Sequence, residues 1–112
     1  MAADRIESFA DFWPYYVREH RRPATRAWHF CGTTLALLLL AAAVLSGWWW
    51  GLIAVPVCGY AFAWISHWAI ERNRPATFRH PLWSLAADFK LWGLMITGRM
   101  GDETRRILGE AE

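Results

Sequence analysis

Cysteine is scarce in this sequence, and the short motifs of hydrolytic enzymes are absent. Only two cysteines, Cys31 and Cys58, occur in 112 residues. Small secreted domains held together by disulfides need a higher density of cysteine, so that class is excluded. We expect both thiols to be reduced and buried as small apolar groups. No Gly-x-Ser-x-Gly sequence occurs, and serine-hydrolase chemistry therefore has no support.

Charge is missing from a long central stretch. No Asp, Glu, Lys or Arg lies between Ala27 and Ile70, and a turn sequence, Ser46–Gly51, interrupts the middle of the stretch. The hydrocarbon core of a bilayer needs about 20 apolar residues per helix, and the stretch holds two such lengths. We therefore predict a transmembrane hairpin with helices over residues 27–46 and 48–70.

The composition is typical of a membrane protein. Hydrophobic residues make up 55% of the chain, and its nine tryptophans and three tyrosines are of types enriched at membrane interfaces. We predict an all-α integral membrane protein with a single domain, residues 1–112. The net charge of +2 is divided between the two flanks of the hairpin, so nothing indicates a nucleic-acid partner. Membrane lipids are the expected contacts of the basic flanks.

The segments on either side of the hairpin are too charged to span a bilayer. Residues 4–20 carry apolar side chains at spacings of three and four, which predicts an amphipathic interfacial helix. Residues 82–97 predict a second interfacial or re-entrant helix. Residues 98–112 are expected to form a polar tail that contains a short helix at best. The aromatic residues expected to lie at headgroup level are Phe9, Trp13 and Tyr16.

Basic residues flank the hairpin and are absent from its turn. Positively charged segments stay in the cytoplasm, so both termini are predicted to be cytoplasmic, in the inner membrane if the protein is bacterial. The first 26 residues have no apolar core, so we expect no cleavable signal peptide. The basic residues are Arg5, Arg18, Arg21, Arg22 and Arg26 before the hairpin and Arg72, Arg74, Arg79, Lys90, Arg99, Arg105 and Arg106 after it.

The hairpin places all four histidines at one membrane surface. His29 lies about nineteen residues before the turn and His67 about eighteen after it, so both are roughly 28 Å from the turn at 1.5 Å per residue. His20 and His80 lie just outside the same two ends. Glu71 is four residues after His67 and shares its helix face.

Four imidazoles with carboxylates nearby are a candidate metal site. Imidazole binds Fe, Zn, Cu and Ni, and two histidines with one carboxylate and open positions hold oxygen-activating Fe(II). We expect Glu71 and Asp88 to take part in catalysis, as further ligands or as partners that orient an imidazole. Two alternatives remain open: His29 and His67 are axial ligands of a b-type haem in a dimer, or the histidines only contact lipid headgroups.

Two motifs resemble the paired motifs of a widespread family of small membrane proteins. The motifs are EHRRPATRAWHFCGT, residues 19–33, and GYAFAWISHWAIERNRPATFRHPLWSLAADF, residues 59–89. The family was long catalogued as a domain of unknown function. Its studied members are Fe(II)-dependent dioxygenases of the endoplasmic reticulum that act on 2-hydroxy fatty acids in α-oxidation. The resemblance extends over residues 9–99.

The resemblance implies a ligand set. The metal-associated histidines of the family correspond to His20, His29 and His67, whereas His80 matches its motif less closely. The sequence also has fewer predicted spans than the characterised enzymes, and Arg22 and Pro23 stand where asparagine-rich variants are familiar.

The function implied by the resemblance is that of a membrane-embedded, Fe(II)-dependent oxygenase acting on a lipid-derived acyl substrate such as a 2-hydroxy fatty acid. The alternative is a non-catalytic membrane scaffold or lipid-binding protein with histidines at headgroup level. We also expect a homo-oligomer, because two spans bury little surface and Gly32, Gly51 and Gly59 allow helices to approach closely.

Overall fold

The computed structural model describes residues 6–75 and 79–109. No strand occurs within those two ranges, and this confirms the all-α prediction. The helices are α1 (Phe9–Glu19), α2 (Pro23–Ser46), α3 (Gly51–Ser66), α4 (Pro81–Ile96) and α5 (Met100–Leu108), and a π-helical segment, His67–Glu71, continues α3.

The first hairpin helix, α2, begins at Pro23 and not at residue 27 as predicted. Arg22 has an extended backbone with φ −81° and ψ 135°, and a proline at the first helical position loses no hydrogen bond. The helix is capped by Gly47, whose φ of 72° lies in the left-handed region and whose N–H donates to the carbonyls of Ala43 and Val44. Glycine adopts this backbone without strain, so the helix ends there.

The second hairpin helix, α3, begins at Gly51, three residues after the predicted start. The residues before it form the turn of the hairpin. The Trp48 N–H donates to the Ala43 carbonyl at 3.0 Å, and the Gly51 N–H donates to the Trp48 carbonyl at 3.0 Å. These bonds hold the chain in a tight reversal, so α2 and α3 are antiparallel neighbours.

The two hairpin helices pack closely through small residues. A Cβ added to Gly32 would lie 2.5 Å from the Cβ of Phe62, and Gly59 and Gly51 also face side chains of the same chain. The glycines that led us to expect an oligomer therefore contact residues of their own hairpin. Self-association stays a prediction without their support.

Two segments are long and apolar enough to cross a membrane. They are Pro23–Ser46, with a mean hydropathy of 1.9, and Gly51–Glu71, with a mean hydropathy of 1.4. Only 17% of the most apolar part of each segment is buried inside the protein. Both cysteines are free as expected, but the prediction that they are buried is wrong for Cys31, which is exposed, whereas Cys58 is partly exposed. A single hairpin covers only one face of each helix.

The apolar stripe of α1 is covered by protein. Ser8 caps the helix by accepting a hydrogen bond from the Asp11 N–H at 3.2 Å. Trp13 and Tyr16 are only 3% and 1% exposed, so they pack against protein and not against lipid headgroups. The reason is that α4 and α5 fold back over the stripe. The shared core consists of Phe12, Trp13, Tyr16, Val17, Ala87, Leu91 and Met100.

The segment after the hairpin contributes two helices, α4 and α5, that pack against α1. The Trp92 indole of α4 donates to the Thr34 hydroxyl of α2 at 2.9 Å and so fixes α4 against the hairpin. Most of the predicted polar tail is helical as α5, where Glu103 accepts a hydrogen bond from the Trp13 indole at 2.7 Å. The last three residues of the tail lie outside the described residues.

Candidate metal centre

Three histidines from three helical segments meet in the interior of the protein. His20 follows the last residue of α1, His29 lies in the second turn of α2, and His67 begins the π-helical segment. One ring nitrogen of each lies within 4.8 Å of those of the other two. The residues are 1%, 5% and 1% exposed, respectively, so the group is closed to bulk water.

A buried arginine holds the chain reversal that brings His20 to the site. The guanidinium of Arg26 donates through Nη1 to the His20 carbonyl at 2.8 Å and to the Arg21 carbonyl at 2.7 Å. Both carbonyls lie just after the end of α1, where backbone carbonyls lack partners within the helix, and a positive charge is favourable there. Arg26 therefore fixes the backbone of His20.

The ring of His20 is oriented by α1. Its Nδ1 lies 2.7 Å from the Tyr16 carbonyl oxygen, and because a carbonyl only accepts hydrogen bonds, Nδ1 carries the proton. The imidazole also stacks on the Tyr16 ring, with centroids 3.9 Å apart. The lone pair of His20 Nε2 is therefore available to a metal.

The ring of His67 is oriented by Asn73. The Asn73 Nδ2 donates to the Glu19 backbone carbonyl at 3.0 Å and to the Glu19 Oε1 at 3.3 Å, so the amide oxygen faces His67. His67 Nδ1 lies 2.6 Å from that oxygen and must donate to it. The lone pair of His67 Nε2 is thus directed at the other histidines.

The ring of His29 faces a carboxylate of α4. Its Nδ1 lies 3.5 Å from Asp88 Oδ1, and the same oxygen accepts a 2.5 Å hydrogen bond from the Tyr16 hydroxyl. Burial, the Asp88 charge and this hydrogen bond raise the pKa of Tyr16 well above its usual value, so the phenol remains a donor. Asp88 therefore has the position of a partner that orients an imidazole, one of the two roles expected of it.

The π-helical segment is what lets Asn73 reach His67. Six residues separate them, and on a continuous α-helix their side chains would point about 120° apart. The wider π turn ends at Arg72, which has a left-handed backbone with φ 61°, and the Asn73 N–H donates to the His67 carbonyl at 3.0 Å. Single π turns are frequent at functional sites for this reason.

The protonation states leave unpaired lone pairs facing one another. The Nε2 atoms of His20 and His67 are 3.0 Å apart although both rings carry their proton on Nδ1. Burial, with His29 and His67 close by, lowers the pKa of His20 well below its usual value, so the ring is neutral. His29 Nε2 is buried and has no hydrogen-bond partner among the described residues. A cation among these nitrogens removes the repulsion between lone pairs and satisfies all three.

The residues fit a first-row transition metal. Imidazole nitrogens bind such ions at about 2.0–2.1 Å, so two nitrogens at right angles on one ion are about 3 Å apart. The 3.0 Å separation of the His20 and His67 Nε2 atoms matches this value. The other nitrogen of each ring faces a carbonyl, amide or carboxylate oxygen, as is usual for metal-binding histidines. Three imidazole ligands suit Fe, Zn, Cu or Ni.

The haem alternative does not fit this geometry. The ring centroid of His20 lies 4.3 Å from that of His29 and 4.4 Å from that of His67. The His29 and His67 centroids are themselves only 5.2 Å apart. His20 thus fills the space that a porphyrin between the other two rings would need.

Two of the predicted site residues lie outside this group of nitrogens. His80 precedes α4 and packs against the rings of Phe12 and Trp83, with centroid distances of 5.4 and 5.3 Å. Glu71 accepts a 2.6 Å hydrogen bond from the Arg22 N–H, next to the start of α2. The expected roles of His80 as a ligand and Glu71 as a catalytic carboxylate gain no support from these contacts.

An apolar cavity of about 240 Å³ begins at the histidine group. Along α2 its lining extends from His29 to Leu40, and along α3 from Ala63 to Val55. Leu40 lies eleven residues after His29, which corresponds to roughly 16 Å along the helix, so the cavity runs far along the hairpin. Asp88 contributes from α4 at the histidine end.

The fold and the site define a class: a small all-helical protein, with two helices of membrane-spanning length, that carries a buried three-histidine group suited to a metal ion. Residues 6–100 match the Mpo1-like family, described as 2-hydroxy-palmitic acid dioxygenase Mpo1-like. The chain belongs to this family, and the resemblance in its motifs is thereby confirmed. No curated protein and no solved structure matches the chain.

Proposed function

We propose that this chain is a membrane-embedded, metal-dependent oxygenase that uses Fe(II) and acts on a 2-hydroxy fatty acid. The observation that carries the proposal is the buried group of three imidazoles at the head of an apolar cavity. The Nε2 atoms of His20 and His67 face each other there, and His29 Nε2 has no hydrogen-bond partner among the described residues. The description of the family as a 2-hydroxy-palmitic acid dioxygenase supports the same substrate class.

The residues of the site have separable tasks. His20, His29 and His67 would hold the metal, and Fe(II) bound there supplies the capacity to bind and reduce O₂. Asp88, which lies 3.5 Å from His29 Nδ1, would orient that ring, and the Tyr16 hydroxyl fixes Asp88 by donating to it. Burial of the three rings keeps bulk water from the reacting groups.

The proposed reaction converts a 2-hydroxy acid and O₂ into a carboxylic acid one carbon shorter, CO₂ and water. The bond between the carboxyl carbon and the hydroxyl-bearing carbon breaks, the latter becomes the new carboxyl carbon, and both atoms of O₂ are reduced. Atoms and electrons balance without a further reductant.

The acyl chain would enter the cavity from the bilayer. Leu85 and Phe89 of α4 line the cavity and are 44% and 47% exposed. Within the described residues, α4 packs mainly on α2, α1 and α5, and its contact with α3 is slight at most. A gap between α3 and α4 therefore offers an apolar route to the histidines. The basic flanks of the hairpin support an orientation with this end of the molecule, and both termini, on the cytoplasmic side.

The experiment that tests this function is oxygen uptake by purified protein. Protein loaded anaerobically with Fe(II) and then given 2-hydroxypalmitic acid and O₂ should consume one O₂ for each molecule of shortened acid. Zinc-loaded protein is the control, because zinc has no redox chemistry. Iron-loaded protein that neither consumes oxygen nor shortens the acid would reject the proposed reaction.

A further inference from the structure

Hydroxyl groups are rare in the lining of the cavity. Among its described lining residues, which are mostly apolar, only Thr33 and Tyr60 carry one. A hydroxyl in hydrocarbon is costly unless it has a hydrogen-bond partner. Each of the two hydroxyls therefore needs a partner within the chain or in a molecule that fills the cavity.

Other polar side chains of the hairpin have such partners within the chain. The Ser46 hydroxyl donates to the Ala42 carbonyl and the Ser66 hydroxyl to the Ala63 carbonyl, each at 2.7 Å. Thr33 is short enough to bond in the same way to its own helix. The phenol oxygen of Tyr60 stands at the end of a ring, beyond reach of its own backbone, and no hydrogen bond joins it to another described residue. Asp88 is the charged residue whose field reaches it.

Tyr60 lies in the part of α3 that leads to the histidines. It is two turns before His67, and Ala63, which also lines the cavity, lies between them. The Tyr60 ring packs against Trp64, one turn nearer to His67, with centroids 5.9 Å apart. The Tyr60 side chain therefore lines the same cavity as the candidate ligand His29.

Selectivity in this cavity must come from the polar end of the substrate. An acyl chain that moves from lipid into an apolar cavity exchanges one hydrocarbon environment for another, so it gains little. A carboxylate that leaves the headgroup region needs hydrogen-bond donors. Asp88 cannot provide such a donor, because its carboxylate repels the carboxylate of the substrate. We infer that the Tyr60 hydroxyl donates to the substrate carboxylate and so positions the head of the acid beside the metal; this inference rests on the proposed function.

A comparison of two ligands tests this inference without turnover. The zinc-loaded protein is mixed with 2-hydroxypalmitic acid or with 1,2-hexadecanediol, which has the same chain and hydroxyl but no carboxylate, and affinity is obtained from the rise in Tm. The Tyr60→Phe variant should bind the acid about 10- to 100-fold more weakly, as expected for loss of a hydrogen bond to a charged group. Its affinity for the diol should change by only about 2- to 10-fold, and by less than its affinity for the acid, because a neutral hydrogen bond contributes less.

The matched control is Tyr15→Phe, which removes a phenol hydroxyl from α1 outside the cavity and should alter neither affinity. Equal weakening of both ligands by Tyr60→Phe would show a structural role, and unchanged binding of the acid would show no contact. Either result overturns the inference about Tyr60 and leaves the proposed function standing. Wild-type protein that takes up metal but binds neither ligand overturns the proposed function together with it.

Discussion

Asn73 illustrates how one side chain places a candidate ligand. Its amide donates to Glu19 at the end of α1 and accepts from His67 at the end of the hairpin, so it links the segments that supply two of the three histidines. Without this acceptor the imidazole could rotate or carry its proton on the other nitrogen. The residue acts through His67 and needs no contact with a metal.

We expect Asn73→Leu to weaken metal binding about 10- to 100-fold, the usual effect of removing a partner that orients a metal ligand. Competition with a chelator measures the affinity. Thr34→Val is the control, because it removes the hydrogen bond to Trp92 and leaves the histidines untouched. Equal affinities in Asn73→Leu and Thr34→Val would contradict the positioning role.

At the residue scale, the sequence predicted that the histidines lie close together, but it did not predict the hydrogen bonds that orient their rings. The common level of His29 and His67 follows from counting residues from the hairpin turn, because the rise of a helix is fixed. The contact between Asn73 and His67 depends on a π turn and a left-handed residue, which no periodicity reveals. Tyr16 could have been found, since it lies four residues before His20 and so shares its helix face.

At the scale of helices, the hairpin depends on a glycine where α2 and α3 come closest. We expect Gly32→Ala to lower the free energy of unfolding by about 1–3 kcal/mol, because the new methyl group would overlap the Phe62 side chain. It should also weaken metal binding, since His29 and His67 lie on the two helices that it forces apart.

The control for this substitution is Gly93→Ala in α4, where an added Cβ meets nothing within 4 Å. The free energy of unfolding of this variant should rise by up to about 1 kcal/mol, because alanine has a better helix propensity than glycine. Thermal unfolding in a mild detergent compares the two variants. A Gly32→Ala protein as stable as Gly93→Ala would contradict the close packing of the hairpin.

The amphipathic pattern of α1 predicted a helix but misidentified what covers it. A stripe of apolar residues indicates that one face is buried, and it does not distinguish lipid from protein. The covering elements are α4 and α5, and α5 was expected at most as a short helix in a polar tail. Nine residues, four of them charged, give a weak signal on their own, so the helix is evident only from its packing against Trp13.

At the scale of the whole molecule, the chain forms a hairpin with a layer of three shorter helices at its histidine end. We expect a reporter enzyme fused after Glu112 to be active only in a cytoplasmic form, and a Ser46→Cys variant to react with an impermeant thiol reagent from the opposite side. Wild-type protein is the control for labelling of the native cysteines. A turn cysteine that reacts only from the cytoplasm would reverse the proposed orientation.

The central claim is that His20, His29 and His67 hold one metal ion, and anaerobic loading with Fe(II) followed by metal analysis tests it most directly. We predict close to one iron per chain without a haem absorption band. Each of the variants His20→Ala, His29→Ala and His67→Ala should lose most of that iron. His80→Ala should keep it, because the His80 ring packs on Phe12 and Trp83. Wild-type protein that takes up no iron, zinc or manganese would contradict the account, and so would His80→Ala protein that loses as much iron as His29→Ala.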